Sequence, residues 1–474
     1  MNEATHKQLL EALRDTPCAR APAHEATTHI AVRVSPGGHF ALGAVLTFVS
    51  MILLRTNRDL AALVLVTSTW IIVPILVATD RLYFNGRALF RSGLVPMLSR
   101  LALGRRQKLA LADVERVEVA TVRTLRRGGS VRYRYSIEIS GKGRTFAFAS
   151  GKNFRQMVRS LLPVIADAKL DARACELRDY LCEPKEIRRQ VEALGIAAPS
   201  VSESANARRA QARIERHVGR PSGSHLRDEQ DRSRALRQAA NHLRVAGRLS
   251  EAAEAFRRAL HLTPHNGFLL YEYARLLRSQ ASAFSDARLL TRACAALKLS
   301  LMRSGEDSQL AERIGESLFE FGQTRRAANA LRHALEINPN SFRALLVLAE
   351  IALSEGKLAH VIHHYGDAAR VAPDEAGARM ARREADYYAR LNDDDDYLSA
   401  ELRRMNWLEG AGRVQQFSAR ISFAALFVAL VGSFFDPIVA SVGWSLASSS
   451  ILGWSGALIM RKFLSRRRSV DVSA

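Results

Sequence analysis

The chain has 474 residues, 48% of them hydrophobic, with 69 Lys and Arg against 47 Asp and Glu for a formal charge of +22. At roughly 100–200 residues per domain this length excludes one compact fold and predicts two to four units, and the basic excess points to an anionic partner, nucleic acid or the cytoplasmic face of a membrane. The four cysteines, Cys18, Cys175, Cys182 and Cys294, never fall as CxxC, which excludes a zinc ribbon, gives no disulfide framework and suits a reducing compartment.

Residues 1–39 are polar and of mixed charge and read as an N-terminal cytoplasmic segment rather than a signal peptide. From Phe40 the run FALGAVLTFVSMILL breaks at RTNRD and resumes as LAALVLVTSTWIIVPILVAT. A spanning helix takes about 20 mostly apolar residues. Residues 40–79 therefore predict a transmembrane hairpin whose second helix is long enough outright and whose first is short.

After Asp80 the period changes to two. RLYFNGRALFRSG reads as two strands joined at Asn85-Gly86, and DVERVEVATVRTL, GSVRYRYSIEIS and RTFAFAS alternate apolar with polar residues ahead of a helical KNFRQMVRSLLPVI. Strands closed by one helix, directly after a two-span hairpin, make residues 80–165 resemble the bacterial pleckstrin-homology-like domains of membrane proteins. That resemblance implies a partly open β-barrel used for membrane-proximal contacts rather than catalysis. Arg105, Arg106, Lys108, Arg126 and Arg127 lie between strands and are candidate contacts to anionic lipid headgroups, each contributing on the order of 1 kcal/mol near such a leaflet. A solvated basic face explains the same residues. Gly141-Lys142 and Gly151-Lys152 lack the frame of a phosphate-binding loop.

Residues 166–194 read as a helical extension with Cys175 and Cys182 on one buried face, and 195–232 as a basic linker rich in Ala, Ser, Pro, Gly and Arg. Then a pattern recurs. Pro264, Pro339 and Pro373 each follow an alanine by five residues (Ala259, Ala334, Ala368) and a glycine by seventeen (Gly247, Gly322, Gly356), and the last two prolines are 34 residues apart. This closely resembles the tetratricopeptide repeat (TPR), in which small residues let two helices approach, an aromatic such as Phe256 fills the groove and proline ends the second helix. Residues 267–307 form a less regular repeat, with Cys294 in the core. The whole solenoid is expected over 233–392 with a capping helix at its end.

In that family the first helices of successive repeats line a concave groove that binds peptide. The resemblance places there Arg234, Arg237, Asn241 and Arg244, then Phe268, Tyr271, Arg275 and Arg278, then Gln309, Glu312, Glu316 and Phe319, and last Arg343, Leu346, Glu350 and Leu353. Glu312 and Glu316 stand where the family's carboxylate clamp for chaperone tails wants cations. A peptide with one acidic and one basic part is the expected ligand.

Residues 393–420 open on the acidic NDDDDY and continue as a connecting helix. Residues 421–460 predict a second hairpin broken at Asp436-Pro437, and 461–474 a basic tail. Basic residues flank the outer ends of both hairpins, which places those ends in the cytoplasm. Gly443/Ala447, Ser449/Gly453 and Gly453/Ala457 repeat a spacing that lets helices pack closely, within one chain or between copies. His360, His363 and His364 come without a metal-binding motif, and no nucleophile elbow occurs.

The sequence thus predicts a multidomain membrane protein of α-helical hairpins, a small β unit and an α-solenoid, without cofactor, metal or catalytic residue. Its expected role is a scaffold recruiting a protein to the cytoplasmic face of the inner membrane. The alternatives are a nucleic-acid-binding membrane tether, which the 7% aromatic content disfavours, or an accessory subunit of a membrane enzyme or transport complex.

Overall fold

A computed structural model describes residues 30–34, 37–56, 58–94, 96–97, 107–125, 131–196 and 223–464. Contacts divide the chain into two compact units. The first takes Met1–Val32, Tyr83–Phe90 and Lys108–Ala385, and the second Arg33–Leu82, Arg91–Gln107 and Asp386–Ala474.

The β part has two sheets. Strands β1 (Ile30–Arg33), β2 (Arg81–Phe84), β3 (Ala88–Ser92) and β4 (Lys108–Ala110) form one, in that order. The other consists of β5 (Arg116–Leu125), β6 (Val131–Gly141) and β7 (Arg144–Ala149), again in chain order. The expected turn at Asn85-Gly86 joins β2 to β3, with the Asn85 carboxamide oxygen accepting from the Ala88 N–H at 2.9 Å. Opposed pairs Val117↔Ile139 and Val119↔Ile137 place alternate residues inward, where Phe148 and helix α3 (Phe154–Leu161) complete the core. Strand β1 departs from the sequence reading, which assigned it to the N-terminal segment. The first predicted hairpin is inserted between β1 and β2.

The helical part of the first unit pairs α6 (Gly223–Ala246) with α7 (Leu249–Leu262), α8 (Gly267–Phe284) with α9 (Ala287–Met302), α10 (Ser308–Glu320) with α11 (Thr324–Ile337) and α12 (Phe342–Ser354) with α13 (Leu358–Val371). Gly247, Gly322 and Gly356 take positive φ between the helices of their pairs, and Pro264, Pro339 and Pro373 each stand two residues beyond a second helix. The irregular repeat is α8–α9, whose turn is made by Ser285 in the left-handed region. Phe256, Leu331 and the alanines Ala252, Ala259, Ala327 and Ala334 are fully buried between helices. Helix α14 (Glu375–Asp393) follows the last pair.

The predicted helical extension is two helices with two attachments. Residues Ala172–Tyr180 form α4, and Pro184–Ala193 form α5, whose Ile187 shares one apolar cluster with Leu236, Ala240 and Phe256 of the first repeat. Val131 of β6 joins the same cluster, so sheet and solenoid share a core. Cys175 and Cys294 are buried free thiols, whereas Cys182, also buried as expected, is disulfide-bonded, although the cysteine spacings pointed to no disulfide framework.

The second unit contains α1 (Gly37–Arg55), α2 (Asp59–Thr79), α15 (Asp395–Phe435) and α16 (Pro437–Leu464). Asp394, in the acidic run, caps α15 by accepting from the N–H groups of Asp396 and Tyr397. The connecting helix and the third apolar segment are therefore one 41-residue helix, about 60 Å long at 1.5 Å per residue. Helices α2 and α15 are long and apolar enough to cross a membrane. The apolar part of α1 is shorter, and α16, expected to qualify outright, is not among the two. Its serines turn their hydroxyls back onto its own carbonyls, as Ser445 does to Ser441 and Ser450 to Leu446, which leaves few polar groups seeking outside partners. At the base of the first hairpin Asp80, 1% exposed, accepts from Arg91 and pairs with His39 at 3.3 Å.

Candidate functional site

The first helices of the four pairs, α6, α8, α10 and α12, bring together most of the residues expected to line a groove. That face is already occupied. Helix α4 lies against it and presents Glu176, whose carboxylate takes Arg244 of α6 at 3.0 Å and Arg275 of α8 at 2.6 Å. One turn on, the Tyr180 hydroxyl donates to Glu272 of α8 at 2.5 Å. One turn back, the Ala172 N–H donates to Glu316 of α10 at 3.2 Å, and Arg343 of α12 pairs with Glu316 and donates to the Cys175 Sγ at 3.5 Å. The i, i+4 spacing of Ala172, Glu176 and Tyr180 puts one contact on each turn of a single helix face. Flanking segments extend the contact: Lys169 pairs with Asp374, and Arg116 of β5 with Glu350 at 2.9 Å.

The expectation of an open groove is therefore corrected at Asn241, Arg244, Tyr271 and Arg275, which are all buried, and at Glu316 and Glu350, which are engaged by the chain itself. The cause is long-range. Glu176 supplies an acid to Arg244 and Arg275 from 68 residues upstream of Arg244. Arg234 and Gln309 remain exposed, and Arg237 and Phe268 are half-buried. Arg278 lies over the Phe321 ring at 5.4 Å, and Glu312 accepts from Ser341 at 2.5 Å. Sequence reasoning missed Glu176, Glu272 and Glu320, which carry much of the charge pairing. Their only signal was an acid on the inward-facing side of a helix. Of the lipid-contact candidates, Arg105, Arg106, Arg126 and Arg127 lie outside the described residues, and Lys108 is exposed at the start of β4.

Burial drives the titrations here. It raises the Glu176 carboxyl, but Arg244 and Arg275 more than offset it and hold the group down at about 2. At Glu316 burial prevails over Arg343, with Glu320 adding like-charge repulsion, and the pKa is pushed up to about 7. Burial also raises Glu272 and brings His242, which meets Gln190 at 2.7 Å, down to about 4. A cavity of about 20 Å³ remains between α4 and the arginines, room for about one water. Ion pairs and hydrogen-bond donors thus run along one face of α4.

The join between sheet and solenoid is close. The Tyr135 hydroxyl donates to the Val245 carbonyl at 2.9 Å, and a Cβ at Gly247 would stand 1.9 Å from the Val131 carbonyl oxygen. Any side chain at Gly247 would push the two apart.

No family model and no curated protein matches the chain. Among solved structures, a MamA RS-1 ArsTM double mutant is 16% identical over 37% of this chain and 96% of its own, with a TM-score of 0.25. A crystal structure of MamA is 14% identical over 51% of this chain and 99% of its own, at 0.27. A human IFIT1 dimer with PPP-AAAA is 12% identical over 97% and 95%, at 0.22. Scores this low carry no argument for function.

Proposed function

We propose that this protein is a membrane-anchored, non-enzymatic scaffold whose TPR-like solenoid recruits a protein partner. In this reading the hairpins α1–α2 and α15–α16 are the anchor, both with their open ends in the cytoplasm, and the β unit is a pleckstrin-homology-like adaptor at the inner-membrane surface. The observation that supports the reading is Glu176 held between Arg244 and Arg275, where the first-helix face takes a helix of the same chain through charge and hydrogen bonds. Such a face, built from rigid paired helices, suits peptide recognition. Anchoring then raises the concentration of the partner near other membrane proteins without further contacts.

The test is a photo-crosslinking residue placed in the full chain at Gln309, on the exposed edge of the concave face, and separately at Arg332 on the second helix of that repeat. One protein captured from native membranes at position 309 and not at 332 supports the reading. Equal capture at both, or none at 309, counts against it.

A further inference from the structure

Helices α15 and α16 do not close on one another along their whole length. Near the start of α15 and the end of α16 they leave a cavity of about 580 Å³, a size within the roughly 300–1,000 Å³ of small-molecule sites. Arg403, Asn406, Trp407, Gly410, Ala411 and Val414 line it from α15, at i, i+3, i+4, i+7, i+8 and i+11, so they share one helix face. Ala457 and Met460 line it from α16. The space exists because small residues stand where bulk would fill it: a Cβ at Gly410 would meet nothing within 4 Å, whereas one at Gly432, farther along the same pair, would lie 2.7 Å from the Ala440 backbone nitrogen.

The lining runs from polar to apolar. Arg403 and Asn406 come first along α15, and Val414 comes last. Helix α16 is uncharged from Pro437 to Met460, about 36 Å at 1.5 Å per residue against a hydrocarbon core of about 30 Å. Under the anchoring proposed above, Ala457 and Met460 therefore stand at the cytoplasmic boundary of that core. Trp407, 62% exposed, is of the residue type that settles there. Among the described residues no acid lines the cavity. Arg404 pairs with Glu401 and Arg413 with Glu409, but Arg403 makes no ion pair within 4 Å among the described residues, its Nε and Nη2 donating to the Ser399 carbonyl and hydroxyl at 3.3 and 3.4 Å.

We propose that this cavity holds one anionic phospholipid of the cytoplasmic leaflet, its headgroup on the Arg403 guanidinium and the Asn406 amide and an acyl chain among Trp407, Val414 and Met460. The inference rests on the membrane-anchored reading and adds a ligand to it. From Arg403 to Val414 the face passes from cytoplasm toward hydrocarbon, the order in which a lipid passes from headgroup to tail. Basic pockets between helices on that side suit anionic headgroups, and a zwitterionic lipid, whose phosphate carries its own cation, gains less from a guanidinium without an acid.

The test is fluorescence quenching in phosphatidylcholine nanodiscs that hold the full chain with Trp407 as its single tryptophan, the other three replaced by phenylalanine. Phosphatidylglycerol or phosphatidylcholine with brominated acyl chains is added at rising mole fraction. Half-quenching of Trp407 is expected at a mole fraction at least fivefold lower for the phosphatidylglycerol. Arg403→Gln should remove that preference, as should Gly410→Leu, whose side chain enters open space, while Arg413→Gln, exposed and off the lining face, should change it less than twofold. A second chain with Trp444 as its single tryptophan reads the anchor by itself, and both lipids should quench it alike. Quenching of Trp444 with no preference at Trp407, or with a preference that survives Arg403→Gln, overturns the site and leaves the anchor standing. A preference lost equally in Arg413→Gln reduces the effect to general attraction by basic surface and overturns the site too. Trp444 quenched by neither lipid removes the anchor and the site together. A preference that survives Gly410→Leu while a dimer becomes a monomer gives the cavity to a second copy of the chain instead.

Discussion

The solenoid and the C-terminal hairpin both pack helices through small residues, yet they are built in opposite senses. In the solenoid the bulk is inside, with Phe256 and Leu331 fully buried beside alanines. In the hairpin the bulk is outside. Helix α15 buries Ala411, Ser418, Ala425 and Gly432, seven residues apart, along with Ala429, while Phe423, Phe434, Phe435 and Ile438 are 70–85% exposed. The close contacts differ in kind as well. A Cβ at Gly315 would meet the Leu331 side chain at 2.6 Å, whereas one at Gly443 would meet the Ala429 backbone at 2.5 Å. Water drives bulk inward, whereas the hairpin's arrangement is the one a hydrocarbon solvent would favour under the membrane anchoring proposed above, because large apolar groups have no reason to hide there and helix association depends on backbones fitting closely.

The widest gap should come from removing one aromatic on each side of that divide. Phe256→Ala is expected to destabilise the solenoid by about 3–5 kcal/mol, a large fall in the melting temperature of the full chain. Phe434→Ala, by contrast, should leave helix pairing intact and lower only partition into vesicles. Next in size is charge. Glu176 has a depressed pKa, so its stabilisation is present above about pH 4.5, the ordinary glutamate value, and is lost as pH falls toward 2. Glu176→Gln should therefore cost about 3 kcal/mol at pH 7, with the difference from wild type closing in acid melts. Glu316 runs the other way: its pKa is raised to about 7, so its contribution is full below about 4.5 and fades as pH rises through 7. Melts of Glu316→Gln should lose that neutral-range slope. The smallest expected energies are at the glycines. Gly315→Ala should cost about 1–3 kcal/mol by overpacking. Gly443→Ala should slow disulfide trapping in a Ser418→Cys/Gly453→Cys pair several-fold, and an unchanged rate there would break the comparison.

The repeats were legible because their signals are local. The Gly247–Ala259–Pro264 spacing specifies a turn, a tight crossing and a stop within one helix pair, and each landed where it was read. The β5–β6–β7 strands were legible for the same reason, since alternation is a short-range pattern. Occupation of the groove was not legible. Glu176 to Arg244 spans 68 residues and Cys175 to Arg343 spans 168, and a single acid on a short helix looks no different from a solvated one. Nor could four residues, IAVR, announce a strand whose neighbour lies beyond two long helices. The Asp80–Arg91–His39 cluster was missed because each member reads as an ordinary flanking charge.

That displaced strand has a consequence for the order of events during synthesis. β1 leaves the ribosome before the α1–α2 hairpin, and β2, beside which it must lie, leaves after it. A chain with an unstructured segment in place of the hairpin would have to close a long flexible loop, at a cost that grows with its length, whereas a hairpin that folds back on itself returns the two strands to within one strand spacing, about 4.8 Å. The first sheet therefore cannot be completed until the hairpin is. A chain whose hairpin stalls halfway carries an unpaired strand edge, the kind of feature that quality-control proteases and chaperones recognise. Closure of that sheet is in effect the chain's own receipt for a correctly finished hairpin.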